Sequence, residues 1–143
     1  MSIVLSILIM LLILTVLVVV HEWGHYISAR IFGVKVNEFS IFMGPKIYSR
    51  VGKKTGTVFS IRCLPLGGFC AMEGEDEDTG DERSFVRQGF WKKFLILISG
   101  PAMNFVLGVC LAFFAMLPAE LFITTEISYI EEQSSLAENN GIQ

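Results

Sequence analysis

Two histidines and a glutamate lie within one five-residue stretch of the chain. His21 and His25 are four residues apart, and Glu22 directly follows the first of them. Residues four apart lie on one face of an α-helix, so both imidazoles can ligate a single Zn²⁺ at about 2.0–2.1 Å. Glu22 can then act as the general base toward the water that the zinc activates. The spacing therefore predicts a zinc site that hydrolyses peptide bonds.

This motif begins where a long apolar segment ends. Residues 3–20 are apolar except for Ser6 and Thr15, and with residues 21–29 added the segment exceeds the roughly 20 residues that span a bilayer. The whole chain of 143 residues is 52% hydrophobic with a mean hydropathy of +0.59. No Lys or Arg precedes Arg30, which disfavours a cleaved signal peptide. We predict a transmembrane helix whose membrane end carries the zinc motif.

A second apolar segment covers residues 94–117 and is also long enough to span a bilayer. It is interrupted by Ser99, Gly100 and Pro101 and by the amide of Asn104, and Pro118 marks its expected end. A proline and an amide are tolerated in a membrane helix where neighbouring helices or polar groups satisfy them. We therefore predict a second transmembrane helix that packs against polar partners.

The charges indicate how the chain is oriented in the membrane. All 11 Lys and Arg residues lie between positions 30 and 93, the stretch that separates the two apolar segments. By the positive-inside rule this stretch is cytoplasmic and both ends of the chain are outside, which places His21 and His25 at the cytoplasmic face. The acidic residues of 73–82 are expected to form a solvated loop. Cys63, Cys70 and Cys110 form no C-x-x-C pair, and we assign them no function.

The stretch between the helices has the pattern of a small β-sheet. Residues 36–51 and 57–62 contain β-like segments, joined by a glycine-rich turn at 52–56 and followed by a breaker at 65–68. If one edge of this sheet lies near the zinc, a substrate could bind there in extended form as an added strand. The other interpretation is a structural platform without substrate contact.

Several motifs together resemble the site-2 proteases, intramembrane zinc metalloproteases, and among them the bacterial regulator of sigma-E protease type. The resemblance covers nearly all of the chain. It is based on the zinc motif, on the segment that follows it, and on a G-P-x-x-N motif in the second apolar helix. The matching segments are 21–25, 32–36, 39–41, 44–46, 65–69, 84–85 and 100–104.

The resemblance implies a mainly α, polytopic membrane protein of the bacterial inner membrane, with two transmembrane helices flanking a membrane-associated β-hairpin. It implies His21 and His25 as zinc ligands, Glu22 as catalytic base and Asn104 as a substrate-binding group. The implied substrate is the transmembrane segment of a single-span protein such as an anti-sigma factor. The expected partners are this substrate and the lipid bilayer, with no nucleic acid.

We divide the chain into four segments on this basis. Residues 1–31 form the first transmembrane helix, 32–93 the β region and acidic loop, 94–119 the second transmembrane helix, and 120–143 an extracytoplasmic segment. Residues 127–143 resemble the opening of a PDZ domain. The third zinc ligand of the family is an aspartate in an L-D-G-like context, which Asp76, Asp78 and Asp81 do not match. We therefore expect the amino-terminal part of a longer protease that is poorly active alone.

Two other functions are compatible with the zinc motif. One is a membrane zinc protease of the HtpX or Ste24-like type, which the G-P-x-x-N motif and the position of the zinc motif on the first span disfavour. The other is a catalytically silent membrane adaptor that binds partners through the sheet. The intact set of His21, Glu22 and His25 argues against an adaptor, because a silent relative has no chemical need for all three.

Overall fold

Two long helices flank a two-stranded antiparallel sheet in the computed structural model, which describes residues 2–117. The elements are α1 (Ile3–Ile31), β1 (Val36–Val51), β2 (Val58–Met72) and α2 (Phe90–Met116). The prediction of two helices around a β-hairpin is thereby confirmed. The PDZ-like segment lies outside the described residues. The chain divides into two compact units, 1–111 and 112–143, and every contact discussed below lies within the first.

Both helices are long and apolar enough to cross a membrane. The most apolar windows of α1 and α2 have mean hydropathies of 3.5 and 2.1, and 0% and 11% of their residues are buried. A core helix of a soluble protein would bury most of such a window. Here the apolar side chains remain on the surface, as expected where lipid is the solvent.

The first helix begins and ends at residues suited to those positions. The Ser2 hydroxyl accepts a hydrogen bond from the Leu5 N–H at 3.3 Å, which caps the amino terminus of the helix. After Ile31 the chain turns at Gly33, whose φ of +81° is the left-handed conformation that glycine adopts without strain. The 29 residues of α1 span about 43 Å, so the helix is longer than the roughly 30 Å hydrocarbon core.

The second helix contains a proline. Pro101 has no N–H, so the carbonyl of Leu97 loses the donor that a regular helix would supply. The helix begins at Phe90, four residues before the predicted apolar segment, so that Lys92 and Lys93 fall in its first turn. Their long side chains can extend toward water while the helix itself enters the apolar region.

Small residues allow α1 and α2 to approach closely. The Ser28 and Ser99 hydroxyls are 2.7 Å apart, and the Ser28 hydroxyl also donates to the Gly24 carbonyl at 2.9 Å. A Cβ on Gly24 would lie 2.4 Å from the Ser99 carbonyl oxygen and 2.9 Å from Met103 Cγ. The helices are therefore in backbone contact at Gly24, one residue before His25.

Substituting Gly24 by alanine is expected to destabilise the protein by about 1–3 kcal/mol, the usual effect of overpacking. The reason is that the Ser99 contact is backbone and cannot rotate away. Thermal unfolding in detergent measures the effect. Gly108→Ala is the matched control, since a Cβ there meets nothing within 4 Å. Equal unfolding temperatures for Gly24→Ala and the wild type would contradict close packing at this position.

Each strand bends, so that the two long strands form a folded sheet. Residues 38–41 pair with 68–71 on one side and with 58–61 on the other, and 58–61 also pair with 48–51. The bends coincide with left-handed backbone at Phe42, Gly44 and Gly67, with φ of 71°, 85° and 85°. The predicted breaker at 65–68 is therefore a bend inside β2, and the strand continues to Met72. Within the described residues, 68–72 is an outer segment of the sheet.

An apolar cluster attaches the sheet to the carboxyl-terminal third of α1. Val34, Val36, Phe39 and Ile96 are each less than 5% exposed, and Tyr26 packs on the rings of Phe39 and Phe59 with centroids 5.7 and 5.6 Å apart. Cys70 is buried in the same cluster, and burial raises the pKa of its thiol to about 12. Cys70 therefore remains a neutral thiol.

A charged network connects the strands. Glu38 accepts hydrogen bonds from Ser60 at 2.7 Å, from Lys46 at 2.9 Å and from Arg62 at 2.9 Å. Burial acts to raise the pKa of Glu38, but the bonds from Ser60, Lys46 and Arg62 outweigh it and lower the pKa to about 2. The carboxylate is therefore the form that the folded sheet stabilises.

The free energy of unfolding is expected to fall in acid because Glu38 becomes protonated. Its contribution is complete above its ordinary pKa of 4.5 and is lost as the pH falls through its folded pKa of about 2. The loss is on the order of 3 kcal/mol. Thermal unfolding between pH 6 and pH 2.5 measures it, with Glu38→Gln expected to flatten the pH dependence. An equally steep fall in Glu38→Gln would assign the effect to other groups.

Candidate active site

The two histidine side chains converge on one point between α1 and α2. His21 Nε2 and His25 Nε2 are 3.2 Å apart. Two nitrogens bound tetrahedrally to one zinc at about 2.05 Å would be separated by about 3.3 Å. The predicted pair is therefore brought together at the separation that a shared zinc ion requires.

The second helix fixes the orientation of His25. His25 Nδ1 lies 2.8 Å from the carbonyl oxygen of Ile96. A carbonyl can only accept, so Nδ1 carries a proton and donates it, which leaves the Nε2 lone pair of the neutral ring available to a metal. A backbone carbonyl in this position is a common partner of metal-binding histidines. Sequence analysis missed this role of Ile96 because it uses a backbone atom and depends on a contact 71 residues away.

Gly100 leaves open the space in front of the histidines. A Cβ at this position would lie 2.4 Å from His25 Nε2 and 2.7 Å from His21 Nε2. Any side chain would therefore compete with an ion for both nitrogens. Three features fit a metal ion: the separation of the two nitrogens, the neutral His25 ring with its proton on Nδ1, and this open space. The resemblance included Gly100 only as part of a motif, without this role.

The third residue of the motif faces the outer segment of the sheet. The Cβ position of Gly68 lies 3.8 Å from Glu22 Cγ, an ordinary contact distance. It lies only 2.8 Å from the Ser40 carbonyl oxygen, so the close pairing within the sheet requires glycine here. A cavity of about 420 Å³ includes Glu22 and His25 in its lining, together with Glu75, Leu97 and residues 69–72. Glu22 therefore has an open space beside it.

Asn104 lies on the other side of His21. Its Nδ2 is 3.4 Å from His21 Nδ1, and its buried Oδ1 has no hydrogen-bond partner among residues 2–117. Asn104, His21 and Glu22 also line a cavity of about 320 Å³ with apolar residues of α1. The role of Asn104 in holding substrate stays a prediction.

The described residues contain no complete metal-binding group. Within 2–117, no set of three or more His, Cys, Asp or Glu side chains is arranged to hold a metal ion. The three aspartates remain in the acidic loop, where Asp78 pairs with Arg87 at 2.7 Å and Asp81 with Arg83 at 3.3 Å. The part of the site that the structure describes therefore consists of His21, His25 and Glu22.

Comparison with known proteins assigns this arrangement to a family. The model of Peptidase family M50 matches residues 9–139. The chain belongs to peptidase family M50. The resemblance to the site-2 proteases is thereby confirmed, and it is favoured over the HtpX type. Family M50 and the two spanning-length helices together indicate a membrane protein.

Curated relatives of this M50 chain are named as zinc metalloproteases. A Thermotoga maritima protein provisionally so named is 43% identical over 106 residues, which cover 71% of this chain and 21% of that protein. A provisionally named zinc metalloprotease of Fusobacterium nucleatum is 36% identical over 121 residues, covering 85% of this chain and 32% of that protein. Zinc metalloprotease Rip1 of Mycolicibacterium smegmatis is 38% identical over 103 residues, covering 67% and 25%. The chain thus spans about a fifth to a third of the length of these relatives.

Proposed function

We propose that the protein is an intramembrane zinc endopeptidase that cleaves single-span membrane proteins such as anti-sigma factors. The observation that supports this most directly is the convergence of His21 Nε2 and His25 Nε2 at 3.2 Å on a helix long and apolar enough to span a membrane. Membership of family M50 and the names of the relatives support zinc as the metal.

The histidines would hold the metal and leave room for further ligands. A catalytic zinc site uses three protein ligands and keeps one position open. His21 and His25 would supply two ligands from one helix face. Residues 118–143 contain no aspartate, so the third ligand that the resemblance implies would be supplied from outside residues 1–143. A bound Zn²⁺ supplies a Lewis acid that activates water and polarises the scissile carbonyl.

Glu22 would move the proton during hydrolysis. Its carboxylate lies on the same helical turn as the two histidines and beside the cavity of about 420 Å³. From there it can take a proton from the attacking water and deliver it to the nitrogen of the leaving amine. The bond that breaks is the amide C–N bond, and the products are a carboxylate and an amine.

The outer segment of the sheet is suited to hold the substrate in extended form. Met72 directs its backbone N–H away from the sheet, toward the carboxylate of Glu75 at 3.3 Å. Cys70 lies two residues earlier on the same strand, so its N–H points to the same side. These donors can equally bind the carbonyl groups of a substrate strand, which would place its backbone beside Glu22 and His25. A transmembrane helix must unwind locally to expose an amide, and added-strand pairing compensates for the hydrogen bonds lost.

The distribution of charge supports a membrane orientation for the proposed protease. Every Lys and Arg of the chain lies between positions 30 and 93, and the sheet and the carboxyl end of α1 belong to that side. This distribution supports a multi-pass protein of the bacterial plasma membrane with its active site at the cytoplasmic side.

Two measurements on the full-length protease that the resemblance implies, purified from membranes, test the proposal. We expect one zinc per chain by elemental analysis, and cleavage of a single-span substrate in liposomes that a chelator stops and added zinc restores. His21→Ala/His25→Ala should lose both. Cleavage that persists in this double variant would exclude the proposed function, and zinc binding without any cleavage would favour the silent adaptor.

A further inference from the structure

A further cavity lies on the face of α1 opposite the histidines. It has a volume of about 750 Å³, and Trp23 and Tyr26 form its α1 side. At 100° per residue, Trp23 points about 180° away from the midpoint of His21 and His25. The residues that line it do not include Glu22, His25 or Asn104. It is therefore separate from the candidate active site.

The walls of this cavity are aromatic. The rings of Trp23 and Tyr26 are 5.4 Å apart, and the ring of Phe39 lies 5.7 Å from each of them. Phe59 and Tyr48 line the cavity from the sheet. Such walls accept hydrocarbon, and tryptophan and tyrosine are the residues that concentrate at membrane interfaces.

The rim of the cavity is positively charged. Arg50, Lys53 and Lys54, at the end of β1 and in the turn that follows, line it and are exposed. None of the residues that line it is acidic. Within residues 2–117 none of these three side chains forms a salt bridge, whereas Lys35, Lys46 and Arg62 do. The rim therefore carries three positive charges available to an anionic ligand.

The position along α1 corresponds to the headgroup layer. If the apolar residues 3–20 cross the hydrocarbon core, Trp23 and Tyr26 lie about 4.5 and 9 Å beyond its boundary, at about 1.5 Å per residue. A headgroup layer is about 5–8 Å thick on each side of the core. Trp23 thus lies at the depth of the glycerol and phosphate groups, and Tyr26 lies at the outer edge of that layer, on the side that the basic residues occupy.

We propose that this cavity binds an anionic phospholipid, with the phosphate at Arg50, Lys53 and Lys54 and an acyl chain against the aromatic wall. Charge selects the headgroup, since three cations face no acidic partner in the cavity. The depth of the cavity, at the headgroup layer of the membrane, favours a lipid over a soluble anion. The site is independent of the proposed peptidase activity.

Tryptophan quenching by brominated lipids tests the site. The chain has two tryptophans, so Trp91→Phe leaves Trp23 as the only reporter. In mixed micelles, dibrominated phosphatidylglycerol should quench Trp23 at several-fold lower mole fraction than dibrominated phosphatidylcholine. In Lys53→Gln/Lys54→Gln the preference should fall sharply, since each basic side chain contributes about fivefold to binding of an anionic lipid surface.

A matched double variant controls for charge. Arg30→Gln/Lys92→Gln removes two exposed basic residues outside the cavity and should retain the preference for phosphatidylglycerol. Equal quenching by the two lipids in the Trp91→Phe protein would overturn the proposal. So would an undiminished preference in Lys53→Gln/Lys54→Gln, or the same loss in the control. Inorganic phosphate that abolishes the preference at millimolar concentration would show a free-anion site and also overturn it.

A different observation concerns Asn104, whose buried Oδ1 has no partner among residues 2–117. For His21 Nε2 to ligate a metal, the neutral ring must carry its proton on Nδ1, and that proton needs an acceptor. The amide nitrogen of Asn104 lies 3.4 Å from this Nδ1. Turning the amide by 180° exchanges its nitrogen and oxygen with little change in shape, so the hydrogen-bond partners decide which atom faces His21.

We infer that Asn104 is a positioning residue for His21, accepting the Nδ1 proton through Oδ1 as Ile96 does for His25. This assignment rests on the proposed zinc site. It gives the orphaned oxygen its partner, and it makes both histidines Nε2 ligands with fixed rings.

Zinc affinity tests this role without reference to catalysis. Competition with a chromophoric chelator should show a 10–100-fold loss of affinity in Asn104→Leu, the usual effect of removing such a partner. Asn104→Asp, which keeps an acceptor oxygen, should restore affinity, and Phe105→Leu on the adjacent position should not change it. The visible absorption of the Co²⁺ form should shift in Asn104→Leu alone.

The possible outcomes distinguish the proposed role of Asn104 from the proposed zinc site. Wild-type affinity in Asn104→Leu, with zinc lost in His21→Ala, would overturn the role of Asn104 and leave the zinc site in place. A loss in Asn104→Leu that Asn104→Asp does not restore would also overturn it. A wild-type protein without affinity for zinc would overturn both.

Discussion

Replacement of Glu22 by glutamine is expected to lower the rate of substrate cleavage by about 10³-fold while leaving zinc content unchanged. The amide has nearly the shape of the carboxylate but cannot accept the proton of the attacking water, and general-base catalysis contributes about 10²–10⁴-fold. The two converging nitrogens belong to His21 and His25 and not to Glu22, so the substitution leaves these metal ligands in place. Cleavage of a single-span substrate in liposomes, with zinc content measured on the same samples, gives both quantities.

The informative comparison is with a variant that loses the metal. His25→Ala should lose zinc and activity together, whereas Glu22→Gln should lose activity alone. Glu22→Gln that cleaves at a tenth or more of the wild-type rate would show that another group moves the proton. Parallel loss of zinc in Glu22→Gln would indicate that Glu22 acts as a ligand.

Alanine at Gly100 is expected to remove both zinc and activity by adding a single methyl group. The new Cβ would lie 2.4 Å from His25 Nε2 and 2.7 Å from His21 Nε2, inside the distance at which any atoms can pack. The imidazoles must therefore move apart, and displaced ligands cannot hold a tetrahedral ion. We expect zinc occupancy below about a tenth of the wild-type value. The packed interior leaves no free volume into which the added methyl group could move without displacing the imidazoles.

Gly108→Ala on the same helix makes this prediction specific. A Cβ at Gly108 meets nothing within 4 Å, and alanine favours the helix by about 1 kcal/mol over glycine. The control should retain zinc and unfold at an equal or higher temperature. Normal zinc content in Gly100→Ala would refute the placement of the metal between the histidines and α2. Unfolding of Gly100→Ala at the wild-type temperature, with zinc lost, would show that the defect is local.

Sequence reasoning located the elements that depend on local patterns. The apolar runs identify α1 and α2 because composition and length alone decide whether a segment can span a bilayer. The i, i+4 spacing places His21 and His25 on one helix face, and the turn at 52–56 joins two predicted β segments. The path of β2 through residues 65–68 was not predictable, since a bend and a break have the same glycine and proline signature.

The contacts between distant segments could not be predicted. The hydrogen bond from His25 to the Ile96 carbonyl and the packing of Gly24 on Ser99 depend on the relative rotation of two helices more than 70 residues apart in sequence. The position of Gly68 beside Glu22 depends on how the sheet folds back on α1. Small residues within apolar helices were the available signal, but they indicate close packing without naming the partner.

Hydrolysis consumes water, yet the candidate site lies on helices whose surfaces are otherwise apolar. Pro101 deprives the Leu97 carbonyl of its helical donor, and Leu97 lines the same cavity as Glu22 and His25. In a bilayer an unsatisfied carbonyl costs several kcal/mol, and a water molecule in a polar cavity removes that cost. If the Leu97 carbonyl is open to this cavity, a dry cavity would be less stable than a wet one. The proline in α2 would then make wetting of the site favourable for the fold, and the proposed hydrolysis requires that water.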